Sequence, residues 1–317
     1  MTVTFVCAKI FSMDIPKIVF MGSPDFAIPI LQRLRDHYPI AGVVTQPDRP
    51  AGRGRLLMPP PVKILAQKLG IPVIQPEKLR TDDNAKVQLR DWDPAVIIVA
   101  AFGQILKTDV LEMAPFGCLN VHASLLPRWR GVSPIQAAIL NGDTETGVSI
   151  MKMDEGVDTG PVLSQRAIPI QSKDTGGILF DKLADLGAEL LIDTLAGYLR
   201  NEITPKPQGD SPTPYAPMLN KSDGELDFTL PAEVLARKVR AYNPWPGTFT
   251  YWNGNLLKIH AAEPLEGKSP GPGIFMIHDG FPAIGTSDGL ILMRQLQPAG
   301  KKPMSGDVFL QGAKGWT

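Results

Sequence analysis

The chain has 317 residues, 44% of them hydrophobic and 20% charged, with 32 basic and 32 acidic side chains. That length suits about two domains at ~150 residues each, the composition excludes a disordered or low-complexity chain, and the balanced charge gives no global nucleic-acid signal while leaving room for a local basic patch. No apolar run approaches the ~18 residues of a membrane span, and Cys7 and Cys118 form no CxxC pair, which speaks against a disulfide framework or a thiolate zinc site and fits a reducing cytoplasm.

Residues 1–12, MTVTFVCAKIFS, lack the long apolar core and small-residue cleavage site of a secretory signal. They are expected to be an extension outside the core, with Met13 as the natural first residue. The first element is a strand at 17–21 (KIVFM), followed by the turn Gly22-Ser23-Pro24-Asp25. Ser23 suits a helix cap, Pro24 the first helical position and Asp25 the positive end of the helix. Phe26, Ile30, Leu31 and Leu34 then repeat at helical spacing. With the strand expected at 40–45 they make a β-α-β unit, the start of a parallel sheet covered by helices.

The alternation continues with a helix at 62–69, a strand at 71–75 and a helix at 77–91. The unbroken apolar run 95–101 (AVIIVAA) reads as a central parallel strand buried on both faces. Residues 117–121 follow as another strand. A helix at 134–140, strands at 147–152 and 162–169, and a long amphipathic helix at 175–200 complete this half. Leu179, Leu183, Leu186, Leu190 and Leu191 lie on the inner stripe of that helix. Residues 204–217 hold five prolines and almost no apolar period, which reads as an extended linker. Beyond it come a helix at 233–240 and short strands at 248–252, 255–261, 273–278, 282–285 and 290–293. Close-spaced short strands suggest a small β-barrel or sandwich.

In an open parallel sheet, ligands bind beyond the carboxyl ends of the strands. Asn120 and His122 stand at such an end, two positions apart and so on one face. An amide donor beside an imidazole can hold a developing oxyanion and manage a proton; a strand-end histidine bonded to a loop is the plainer alternative. A second polar cluster, MDEGVDTG at 153–160, also follows a strand and brings Asp154, Glu155 and Asp158. A carboxylate meeting a histidine can orient it and fix its tautomer. The cluster has no EF-hand spacing and no histidines for zinc. The segment QPDRPAGRGR at 46–55 sets Arg49, Arg53 and Arg55 among Gly and Pro, suited to phosphate contact or simply to solvation. The turn at Gly22 is not G-x-G-x-x-G, so a dinucleotide site is poorly supported.

Taken together, FMGSPDFAIPIL, TQPDRPAGRGR, NVHASLLPRWRG with the following PIQ, and MDEGVDTG resemble the methionyl-tRNA formyltransferases. KLADLG in the long helix, AYNPWPGTF at 241–249 and LQPAGKKPMSG at 296–306 extend the resemblance, in order, over residues 17–310. HASLLP and the MDEGVDTG loop are shared with other folate-dependent formyltransferases; QPDRPAGRG and NPWP are narrower. The family commonly has an acidic residue where this chain has Pro161.

The resemblance implies an α/β fold with a doubly wound, mostly parallel N-terminal domain (13–203), a linker (204–218) and a small C-terminal OB-like β-barrel domain (219–317) that helps bind tRNA. It implies formyl transfer from 10-formyltetrahydrofolate, as co-substrate, to methionyl initiator tRNA, by a cytoplasmic monomer without metal. Asn120, His122 and Asp158 take the family's catalytic positions. Ser124, Leu125, Leu126 and Pro127 take its folate segment, with Phe102, Gly103, Ile105 and Asp154 lining the pterin pocket. Arg49, Arg53 and Arg55 would reach the tRNA. A sugar-nucleotide formyltransferase would share the same three catalytic residues; a non-catalytic RNA-binding module would not need them.

Overall fold

A computed structural model describes residues 15–51, 56–210 and 212–316. The expected extension 1–12, the start at Met13, and Arg53 and Arg55 lie outside the described residues. The chain divides into two compact units, Met1–Leu119 and Asn120–Thr317.

The first unit builds the parallel layer. Its elements are β1 (Ile18–Gly22), α1 (Ala27–His37), β2 (Ile40–Val44), β3 (Arg49–Ala51), β4 (Leu56–Met58), α2 (Pro61–Lys68), β5 (Val73–Ile74), α3 (Asp83–Asp91), β6 (Val96–Ala100) and α4 (Thr108–Leu111). All five residues of β1 and of β6 are buried, as a strand covered on both faces requires. β1 pairs in parallel with both β2 and β6, and β2 with β5. α1 buries Ala27, Ile30, Leu31 and Leu34, the stripe its spacing predicts.

Two local expectations change. Ser23 does not cap α1, whose N-cap is Phe26 with no side-chain bond. The Ser23 hydroxyl instead accepts from Thr45 Oγ1 (3.1 Å) and from the Gln46 N–H (3.0 Å), tying β1 to the end of β2. The helix expected over 77–91 breaks into a 3-10 turn at Leu79–Thr81 and then α3. Asp82 resets the helix by accepting from the Ala85 N–H at 2.9 Å.

β7 (Cys118–His122) carries the division between the units; within the first unit the strands run in the order β5-β2-β1-β6, and within the second β8 is followed by β9. The order reverses between β1 and β6, the mark of a doubly wound sheet and of its switch point. In the second unit follow α5 (Pro134–Leu140), β8 (Glu145–Lys152), β9 (Val162–Pro169) and α6 (Gly176–Leu199). β9 runs antiparallel to β8, so the sheet is mostly, not wholly, parallel. α6 lies close on the sheet at Gly187, where a Cβ would stand 2.7 Å from Val121 Cγ1.

The same unit continues through α7 (Ala232–Ala241), β10 (Thr248–Trp252), β11 (Asn255–Leu265), β12 (Phe275–His278), β13 (Phe281–Gly285), β14 (Leu290–Pro298), β15 (Met304–Ser305) and α8 (Gly306–Gly312). The strands form an antiparallel sheet in the order β10-β11-β14-β13-β12, with β15 on β14. β11 and β14 are longer than their alternation suggested, because they pair with each other around register shifts near Ala261. α8 and Trp316, which no sequence pattern announced, close this core: Trp316 is 2% exposed and its indole donates to the Met276 carbonyl at 2.8 Å. Phe275 and Phe309 meet its ring edge-on. α7 packs on α5, and Arg237 donates through Nε to the Leu140 carbonyl at 3.1 Å.

The proline-rich stretch is extended, but it does not hang free. Lys206 and Val162 exchange two backbone bonds of 2.8 Å, and Ala216 bonds on either side of Gly131.

Candidate active site

β7 ends with Asn120 and His122 on one face while Cys118, Leu119 and Val121 are buried in the sheet. The loop between β8 and β9 brings Asp158 to them. Asn120 Nδ2 donates to Asp158 Oδ1 at 3.3 Å, and His122 Nδ1 lies 3.6 Å from that same oxygen. The other carboxylate oxygen accepts the Gly131 N–H at 2.9 Å. His122 is 5% exposed, so its position is set by packing as well as by polar contacts.

The tautomer follows from the partner of the second ring nitrogen. His122 Nε2 lies 3.0 Å from the Trp129 carbonyl. A carbonyl only accepts, so Nε2 carries a proton and donates. Nδ1 is then the nitrogen left for chemistry: it holds a lone pair in the neutral ring and donates when the ring is charged. Asn120 likewise has one amide hydrogen on Asp158 and a second to offer. An acceptor, a titratable nitrogen and an amide donor therefore meet at one carboxylate oxygen.

After β7 the chain makes a tight turn through Ser124–Pro127. The Ser124 hydroxyl is buried and donates to the Arg128 carbonyl at 2.6 Å. Ser149 and Gln165 brace the same turn. Ser149 Oγ donates to the Ser124 carbonyl (2.6 Å) and accepts the Leu126 N–H (3.0 Å), and Gln165 Nε2 donates to the Leu126 carbonyl (2.8 Å). Leu126 is buried, whereas Leu125 and Pro127 are half-buried. Asp154 is exposed and accepts from the Gly156 N–H and from Thr159 Oγ1, which shapes the loop that carries Asp158. Pro161 does not disturb the exit of that loop. Its carbonyl accepts the Lys152 N–H at 2.8 Å, a bond for which proline needs no N–H of its own.

In the first unit, the carboxyl ends of β1 and β6 lie side by side at the switch point, with Gly22 opposite Ala100. Ala101 (φ 48°) and Gly103 (φ 77°) turn the chain there; Phe102 is buried and Ile105 is 63% exposed. Gln46 Nε2 donates to the Phe102 carbonyl at 3.0 Å, and Gln104 Nε2 to the Pro76 carbonyl at 2.9 Å. Asp48 takes both carboxylate oxygens to Lys63 Nζ at 2.8 Å and one to Gln75 Nε2. The hydrogen bonds from Gln75 and then Lys63 hold its carboxyl below the usual range. Arg49 stands exposed on β3 and pairs with Glu77 at 3.1 Å.

Sequence reasoning missed Trp129, Gly131 and Gln208. Gly131 closes the quoted HASLLPRWRG stretch, and its φ of 111° explains why a glycine ends it. Gln208 lies 50 residues from Asp158, and no local pattern marks it. Among the described residues, no group of three or more His, Cys, Asp or Glu side chains is placed to hold a metal, and no helix is long and apolar enough to cross a membrane.

Two family models set the class: the formyl transferase model matches residues 16–195, and the formyl transferase C-terminal domain model matches residues 218–314. Among solved structures, WlaRD, a sugar 3N-formyl transferase determined in the presence of dTDP and 5-N-formyl-THF, shares the fold at 20% identity. The TM-score is 0.66 over 91% of this chain and 100% of that one. Curated relatives are more specific. The methionyl-tRNA formyltransferase of Myxococcus xanthus is 48% identical over 95% of this chain and 96% of its own length. That of Bacillus pumilus is 48% identical over 94% of this chain and 95% of its own. The chain belongs to the methionyl-tRNA formyltransferase family.

Proposed function

We propose that the protein transfers the formyl group of 10-formyltetrahydrofolate to the α-amine of methionyl initiator tRNA, giving N-formylmethionyl-tRNA. The observation that carries the reading is the meeting of Asn120 and His122 at one oxygen of Asp158. The methionyl-tRNA formyltransferase relatives, and the 5-N-formyl-THF present with WlaRD, support the substrates.

In the reaction, a bond forms between the amine nitrogen and the formyl carbon, and the bond from that carbon to the folate nitrogen breaks. Negative charge builds on the formyl oxygen meanwhile. Asn120 donates its second amide hydrogen to that oxygen, and His122 donates from Nδ1 when its ring is charged. Asp158 holds both side chains in register and, as a carboxylate, serves as an acceptor for the proton that the amine loses, while the departing folate nitrogen takes up a proton. Fixed donors aimed at developing charge need no reorganisation at the moment of reaction, and this is the source of their catalytic effect.

The Ser124–Pro127 turn, together with Phe102, Gly103, Ile105 and Asp154, is proposed to hold the folate. Arg49, Arg53 and Arg55 are proposed to contact tRNA phosphates. Residues 13–203 would form the catalytic domain, 204–218 the linker and 219–317 an OB-like domain that shares in tRNA binding. The protein would act as a cytoplasmic monomer. The test is incubation with 10-formyltetrahydrofolate and charged initiator tRNA, beside free methionine and sugar-nucleotide amines. Formylation of the tRNA alone supports the reading. Formylation of a sugar amine alone would replace it.

A further inference from the structure

We infer that Gln208 is a positioning residue that holds the Asp158 loop in its reactive geometry; the inference deepens the formyl-transfer reading above and rests on it. The Gln208 side chain uses all of its polar atoms for this. Its two N–H groups go to the Asp158 carbonyl at 2.9 Å and the Gly160 carbonyl at 2.7 Å. Its oxygen accepts from Arg130 Nε at 3.0 Å. Asp158 needs such a hold. Its φ of 53° lies in the left-handed region, which costs a non-glycine residue free energy and persists only where neighbours enforce it.

The same stretch also acts on the carboxylate. Ala216 donates its N–H to the Arg130 carbonyl at 2.7 Å and accepts the Val132 N–H at 2.8 Å. Those bonds bracket Gly131, whose own N–H is on Asp158 Oδ2 at 2.9 Å. Lys206 and Val162 anchor the entry to the stretch. A tether that only joined two domains would need none of these contacts. The described residues of 206–210 and 212–216 thus form a strap that fixes Asp158 twice, at its backbone through Gln208 and at its carboxylate through Gly131. Small errors in the placement of a reacting group are costly, so loosening the strap weakens catalysis without removing a reacting group.

The experiment pairs kinetics with hydrogen exchange on the full-length protein. Gln208→Ala removes both donors, and Gln208→Glu sets oxygens against two carbonyls, so the second variant is the more damaging. Each lowers kcat by about tenfold or more while KM for tRNA and for folate moves less than about twofold. On an Asp158→Ala background, Gln208→Ala adds less than about a twofold further loss, because the residue it positions is gone. Deuterium uptake across residues 154–160 rises in Gln208→Ala while uptake in α6 is unchanged. An equal loss of kcat on both backgrounds, or unchanged uptake at 154–160, overturns the inference. A wild-type protein that does not formylate methionyl-tRNA would count against the proposed function alone, because the exchange measurement needs no substrate.

Discussion

Two charged loops follow strands in this molecule, and they are built in opposite ways. The loop at 153–160 is fastened throughout. Asp154 ties its start, Gly131 and Asn120 take the Asp158 carboxylate, and Gln208 takes two of its carbonyls. In β3 and β4, Arg49, Pro50 and Leu56–Met58 are exposed instead. Arg49 makes an exposed pair with Glu77, and Leu56, Leu57 and Met58 are each more than half exposed. A group that must meet a small reacting centre is held within tenths of an ångström, and the cost appears as a strained φ with many hydrogen bonds. Were the segment of β3 and β4 to contact tRNA as proposed, the exposed Arg49 and the exposed Leu56–Met58 would be open to a partner.

The largest test of this contrast is Asn120→Ala. Loss of one well-placed donor lowers kcat by about 10²–10³, or ~2.7–4 kcal/mol, with tRNA affinity nearly unchanged. Steady-state kinetics beside filter binding would show it, and near-normal turnover would remove Asn120 from the proposed machinery. Gly131→Ala comes next. Its Cβ would stand 2.5 Å from the Ala216 carbonyl oxygen at a φ of 111°, so the turn must shift, at a cost of about 1–3 kcal/mol. Both Tm and kcat should fall. An unchanged kcat at reduced Tm would mean that the Gly131 N–H stabilises the fold without serving Asp158.

Replacing Arg49, Arg53 and Arg55 together by Ala tests the proposed tRNA contact. Binding of tRNA weakens, and the slope of log K against log salt becomes shallower by roughly 2–3, while folate binding persists. An unchanged salt slope would make this a solvated loop. The smallest effect is expected at Asp48. Its folded-state pKa is depressed, so its stabilising contribution is complete above the ordinary carboxylate value of ~3.9 and is lost as pH falls through the lower folded value. The Tm of Asp48→Asn should therefore lie below wild type at neutral pH and meet it in acid. A gap that persists in acid would assign the effect to packing.

The β-α-β start, the buried runs of β1 and β6, and the stripe of α6 were legible because periodicity reports burial directly. Asn120 and His122 were legible because strand alternation fixes which residues share a face. Other features had no local signature. Ser23 looks like a cap in sequence, yet its hydroxyl serves β2, because a side chain takes the partner that the fold brings nearest. The break ahead of α3 and the length of β14 were set by contacts with Gln104 and β11, which lie far off in the chain.

Sequence by itself determined the layered α/β architecture, the change of texture after residue 204 and the placement of Asn120 and His122 on one strand face. Tertiary structure decided which nitrogen of His122 meets the Trp129 carbonyl, which oxygen of Asp158 the other one faces, and that a proline-rich stretch resembling a tether is a strap. The physical reason is range. Periodicity and turn chemistry act over a few residues, whereas a hydrogen bond between Gln208 and Asp158 exists only once two positions 50 apart in the chain have been brought together.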